Sequence, residues 1–304
     1  MWSLEWIAAT LIAAFELIAA IILNLYIMAT SFLDQSKKFS LSPANQMYFY
    51  MGLVNVCLQV IMTLQGYVYV FSPVTYVSKE FSVPVCLCFL YFIYLNLWLT
   101  AWLCSFYCVT IVRFRSKFVT RLKMSLSTVV PKLLLITAVG CVIISVPSIW
   151  GVQVVAQQNM TQELTHNIHN FIVVFNFTHY YFIIFITFGC SLPLVLSLTS
   201  VGFTLTSLFG YIWRIKVTES SLSAPQLEAH YKACRTMLRL IITYLVFIVS
   251  EIHISTSILS TSNILMVATF FIALLYPTSQ SAILIFGNPR LKKGFVGKEM
   301  CQFC

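Results

Sequence analysis

Charge in this chain is confined to short intervals between long, almost uncharged apolar runs, and that spacing constrains the fold more than any other feature. The runs are roughly Trp6–Thr30, Met47–Val70, Phe81–Val112, Leu133–Val155, Tyr180–Trp213, Leu240–Leu259 and Ile264–Phe286. A helix needs roughly 20 apolar residues to cross a bilayer, so seven runs predict an all-α bundle of seven transmembrane helices. The third and fifth runs exceed one hydrocarbon thickness and must tilt or project beyond it. With 60% hydrophobic and 9% charged residues in 304, the chain has too little polar surface for a soluble enzyme. No repeat or Pro/Gly-rich linker divides it, so residues 1–304 read as one domain with a short tail over 289–304.

Basic residues set the orientation. Lys37 and Lys38 fall between runs one and two, and Arg113, Arg115, Lys117, Arg121, Lys123 and Lys132 between three and four. Arg214, Lys216, Lys232, Arg235 and Arg239 fall between five and six, and Arg290, Lys292, Lys293 and Lys298 after seven. That puts 17 of the 18 Lys and Arg on one side, with Lys79 alone on the other. The positive-inside rule then predicts a cytosolic C-terminus and an outside N-terminus. The net charge of +9 is a topology signal, and nucleic acid is not an expected partner. The first run lacks a basic n-region and is too long for a cleaved signal, so it reads as a signal anchor.

Cysteine usage gives no zinc spacing. The outer loop from about Ala156 to His179 contains no cysteine, so it cannot be tied to run three by a disulfide. Cys301 and Cys304, in a basic tail, are palmitoylation candidates, with free thiols the equal alternative. Two sequons, at Asn159 and Asn176, fall in that same outer loop and are the glycosylation candidates.

Ionisable groups within spans are costly and mark function by default. Glu16 stands alone in run one. In run six, Tyr244, Phe247 and Glu251 share a helical face, whereas His253 points elsewhere, which argues against a Glu–His metal or proton centre. Asn24, Asn55, Gln59, Asn96 and Gln280 suit interhelical hydrogen bonding. No zinc-protease, nucleophile-elbow or Walker motif is present, so no catalytic residue, metal site or cofactor is expected.

Tyr276-Pro277-Thr278-Ser279-Gln280-Ser281, the aliphatic run to Phe286, and Asn288-Pro289-Arg290-Leu291-Lys292 resemble the closing motif of type 2 (bitter) taste receptors. That family typically reads Pro-Ser-x-His-Ser, an aliphatic run, then Asn-x-Lys/Arg-Leu-Lys. Leu103-Cys104-Ser105-Phe106-Tyr107 resembles its third-span motif. Pro193 with Ser207-Leu208 resembles its fifth, and Glu228-Ala229-His230-Tyr231-Lys232-Ala233 the approach to its sixth. The similarity runs through all seven spans in order. Asn55 stands where the family usually has arginine, Thr110 where it has lysine, and Gln280 where it has histidine; the span-five histidine is absent, with Tyr211 nearby. These departures mark a divergent member.

The resemblance implies a G-protein-coupled receptor of the plasma membrane that takes small bitter molecules in the outer half of its bundle. By offset from the matched motifs, Phe89, Ile93, Asn96, Phe182, Phe185, Ile186, Gly189, Glu251, Phe270 and Ala273 are the ligand-binding candidates. Tyr244, Tyr107 and Gln280 are candidate activation switches. Arg113, Arg115, Lys117 and Lys232 are the candidate contacts for a gustducin or other Gi-class heterotrimer. Membrane lipid, sterol included, is the remaining expected partner. A vomeronasal or odorant-type receptor is the nearest alternative, and a small transporter or channel a more distant one.

Overall fold

A computed structural model describes residues 4–36, 42–112, 117–156, 173–177, 179–218, 224–257 and 263–296. In chain order its elements are α1 (Leu4–Ser36), α2 (Pro43–Phe71), α3 (Pro73–Val77), α4 (Lys79–Ile111), α5 (Lys117–Met124), α6 (Leu126–Ser145) and α7 (Ser148–Gly151). There follow β1 (Val152–Ala156), β2 (Val173–Phe177), α8 (His179–Ile184), a π-helical segment (Phe185–Ser191) and α9 (Leu192–Thr218). The chain closes with α10 (Ala224–Ser257), α11 (Asn263–Leu274), α12 (Tyr276–Gly287) and α13 (Pro289–Val296). Among the described residues, seven stretches are long and apolar enough to cross a membrane: Thr10–Leu33, Pro43–Phe71, Lys79–Ile111, Leu126–Trp150, Ile186–Gly210, Tyr231–Ile254 and Val267–Gly287. The chain is therefore a multi-pass membrane protein built as a seven-helix bundle.

Each helix sorts its residues by face. On α1, Ala20, Asn24, Ile27 and Ser31 are buried at steps of three and four, while Leu11, Phe15, Ile18, Ile22 and Leu25 form an exposed apolar stripe opposite. Such a stripe suits contact with lipid, so the driving force for helix association must come from close packing and hydrogen bonds. The long α4 is central and touches α2, α6, α9 and α10. Helix starts and breaks have local causes. The Ser42 hydroxyl accepts from the Asn45 N–H at 3.3 Å with Pro43 just inside α2, a regular N-cap. Pro277 cannot donate to the preceding turn, and span seven is broken at Leu275 into α11 and α12.

Two boundaries differ from the sequence expectation. The apolar run through Val155 predicts helix to its end, yet α6 stops at Ser145 beside Pro147. Val152–Ala156 instead pairs antiparallel with Val173–Phe177, with Val152 opposite Phe177 and Ala156 opposite Val173. Three valines in five residues favour the extended form, and apolar content alone does not separate strand from helix. Lys232, Arg235 and Arg239, read from their charge as loop, lie on α10 within span six. Long basic side chains can follow the helix surface to the interface, so charge marks a helix end several residues too late.

Candidate functional site

Four spans contribute to a buried polar knot at mid-bundle. Asn55 on α2 donates to the Asn24 side-chain oxygen on α1 at 3.1 Å and to the Ser281 hydroxyl on α12 at 3.4 Å. Ser281 donates to Asn24 at 2.7 Å, closing a triangle. From α4, Asn96 donates to Asn55 and accepts from the Tyr276 hydroxyl and the Gln280 amide, each at 2.9 Å. Gln280 also donates to the Thr100 hydroxyl at 2.8 Å. Asn24, Asn55, Asn96, Gln280 and Ser281 are all essentially inaccessible to solvent. Burial of unpaired amides costs about 1–3 kcal/mol per group, so the knot fixes the mutual register of the spans.

One turn away lies an aromatic layer. Phe247 of α10 stacks on Tyr276 with ring centres 4.3 Å apart and planes 21° off parallel. Tyr244, on the same face, donates its hydroxyl to the Cys190 carbonyl at 2.5 Å. Cys190 belongs to the π-helical segment, where the Leu192 N–H reaches back to Thr187. Pro193, the next residue, supplies no N–H, and widened turns of this kind release carbonyls for side-chain donors. Gly189 in the segment lies directly against the fully buried Tyr94 ring of α4, so that a methyl group there would overlap it. Replacing Gly189 by alanine should lower stability by about 1–3 kcal/mol, as overpacking does elsewhere. Thermal melting of the purified variant reads this, and unchanged melting would count against the close approach.

The sequence-derived ligand candidates separate into groups. Phe89, Ile93, Phe270 and Ala273 join Tyr244, Phe247 and Tyr276 in one hydrophobic cluster. Ile186 instead lines a groove of about 140 Å³ between spans five and six, with Cys190, Leu194 and Tyr244. Asn96 is 1% exposed, with its described partners all in the knot. Phe182 and Phe185 are placed by backbone alone, in α8 and the π segment. Glu251 is half-buried near the end of α10. Tyr76, in the α3 turn between spans two and three, has its hydroxyl pKa pushed up by burial first, and by Tyr69, Cys86 and Glu251 thereafter.

At the basic end, the Tyr107 and Tyr48 hydroxyls meet at 2.5 Å across α4 and α2. Lys123 of α5 donates to the Thr110 carbonyl at 2.7 Å, securing the connection that follows α4. Lys117 is exposed at the start of α5, and Lys232 is half-buried on α10. Arg113, Arg115 and Asn159, with the tail cysteines Cys301 and Cys304, lie outside the described residues. Asn176 sits in β2 opposite Gln153. Sequence reasoning did not single out Tyr94 or the roles of Tyr276 and Ser281. Tyr276 adjoins Pro277 in the closing motif, which was the available signal.

A model of the family described as taste receptor protein (TAS2R) matches residues 1–301. The chain belongs to the TAS2R taste receptor family. Among its relatives, taste receptor type 2 member 8 of Gorilla gorilla gorilla is 27% identical over 292 residues, covering 94% of this chain and 93% of the relative. Taste receptor type 2 member 40 of Gallus gallus is 25% identical over 289 residues, 93% of this chain and 91% of the other. Taste receptor type 2 member 9 of Pongo pygmaeus is 25% identical over 310 residues, covering 99% and 95%. This TAS2R chain is thus a G-protein-coupled receptor and not an enzyme. Membership implies, in general terms, small-molecule agonists and G-protein coupling.

Proposed function

We propose that this TAS2R receptor acts in the plasma membrane as a single receptor domain, with its basic end cytosolic. It binds small bitter molecules in the opposite half of the bundle and activates a gustducin or other Gi-class heterotrimer. The observation that carries the reading is the continuity from the cluster around Phe89, Ile93, Phe270 and Ala273 to the knot. Phe247 stacks on Tyr276, and Tyr276 bonds Asn96. An agonist that repositions Phe247 acts on the Tyr276–Asn96 bond, and Tyr244 ties the same helix to the π segment of span five.

In this reading Phe182, Phe185, Ile186, Gly189 and Glu251 complete the ligand face, with Asn96 as its floor. Tyr244, Tyr107 and Gln280 change partners on activation. The agonist shifts the equilibrium only by its differential affinity for the active state. Arg113, Arg115, Lys117 and Lys232 receive the Gα C-terminal helix, and Asn159 and Asn176 accept glycans.

Nucleotide exchange on purified Gi-class Gα, with the receptor in lipid vesicles and a bitter panel, tests the proposal directly. Agonist-dependent exchange is expected. Solute flux in the same vesicles without exchange would favour a transporter or channel. Reversing Lys117 and Lys232 to glutamate should cut exchange about tenfold or more while agonist binding persists, the loss expected from one or two charged contacts. Unchanged exchange would remove these lysines from the G-protein contact.

A further inference from the structure

Between spans one and two, displaced from the knot away from the basic end, lie buried polar atoms that the knot does not use. Gln59 is 0% exposed, and neither its amide oxygen nor its amide nitrogen has a hydrogen-bond partner. The Thr63 hydroxyl and one Glu16 carboxylate oxygen are also buried without a hydrogen-bond partner. Native proteins pair such groups almost always, so their coincidence points to a bound species.

Helix register brings the three together. Asn55 bonds Asn24, and Gly52 lies against the Asn24 carbonyl and Met28, so α1 and α2 run antiparallel with 24 opposite 55. Eight residues from the knot along each helix, Glu16 and Thr63 stand level, about 12 Å from it, with Gln59 one turn nearer. Glu16 lies on the face that buries Ala20 and Asn24, one turn each from the next. Ala13, one turn further out on that face, packs against the cluster that contains Leu58, Met62 and Ala273. The face of α1 that carries Glu16 therefore looks into the bundle at this level.

The chemistry of the set is specific. It offers a carboxylate, an amide oxygen and a hydroxyl, all hard oxygen donors of the kind that bind alkali and alkaline-earth ions. Spans one, two and seven contain no lysine or arginine to compensate the carboxylate. Water would satisfy the amide and hydroxyl but would leave a negative charge at membrane depth. A single carboxylate balances a single positive charge. We propose that Glu16, Gln59 and Thr63 bind a monovalent cation, sodium, with water completing its coordination. The site locks span one onto span two independently of any agonist.

Melting of the purified full chain in sodium chloride and in N-methyl-D-glucamine chloride of equal ionic strength tests the site without agonist or G protein. Sodium should raise the midpoint saturably, by about 2–4 °C at ten times its dissociation constant. Glu16→Gln should abolish that rise, and Gln59→Leu should weaken it. Should either variant fail to fold, sodium-23 relaxation on the unaltered receptor still decides, since saturable broadening is expected. Equal melting in the two salts, as a water-filled or protonated cluster would give, overturns the proposal. So does a sodium-dependent rise that survives Glu16→Gln, or sodium-23 relaxation indifferent to the receptor.

Discussion

Glutamine in place of Glu251 should weaken amine-bearing agonists by about 10- to 100-fold and leave neutral agonists nearly unchanged. That range corresponds to losing one charge-assisted hydrogen bond of about 1.5–3 kcal/mol. Glu251 continues the face of α10 that carries Phe247 and Tyr244, both of which are buried in the aromatic layer. Tyr76, in the turn between spans two and three, has a hydroxyl that is harder to ionise chiefly through burial, with Glu251 a lesser cause. Lys79 is the single lysine or arginine outside the basic intervals. In the proposed reading, the ammonium group of an amine agonist pairs with the Glu251 carboxylate. Concentration–response curves for matched amine and neutral agonists check the prediction. Equal losses in both classes would assign Glu251 a structural role.

Leucine at Asn96 should be the most damaging single change in the bundle, at about 2–4 kcal/mol. Leucine preserves volume but leaves the Asn55 oxygen, the Tyr276 hydroxyl and part of the Gln280 amide without their partner. Interhelical bonds in membranes contribute about 0.6 kcal/mol on average and about 1.7 at most, while orphaned groups cost about 1–3 each. At about 2–4 °C per kcal/mol, the melting midpoint should fall by about 5–15 °C. Thr100→Val removes one interhelical bond, from the Gln280 amide, and a local one to the Asn96 carbonyl, and should cost much less. If the two variants melted alike, the knot would not be cooperative.

The seven spans were legible because lipid demands a continuous apolar run, a signal that survives without any alignment. Their ends were less so. Valines 152, 154 and 155 extended a helical run into a strand, and Lys232 to Arg239 hid two turns of span six behind their charge. Asn24, Asn55, Asn96 and Gln280 could each be read as interhelical glue from type and depth. That they share one knot with Tyr276 and Ser281 follows from pairings more than 25 residues apart, which no local pattern encodes. The stripe of Tyr244, Phe247 and Glu251 was visible as helical periodicity. Its partners were not, because Cys190 enters through a backbone carbonyl, and backbone groups leave no mark in composition. Pro193 was the sole local hint of the π segment.

That segment also separates the winding of α8, six residues that precede span five, from that of α9, which makes up most of the span. Each residue added to or removed from an α-helix turns everything beyond it by roughly 100°. A widened turn at Phe185–Ser191 therefore sets the azimuth of α8 without disturbing α9, whose packing against α4 and α10 is fixed separately. A one-residue deletion inside the segment would restore regular winding and present a different set of α8 side chains to the bundle, while leaving the basic end in phase. The start of span five is thus an adjustable joint, at which single-residue insertions and deletions re-aim α8 and spare α9.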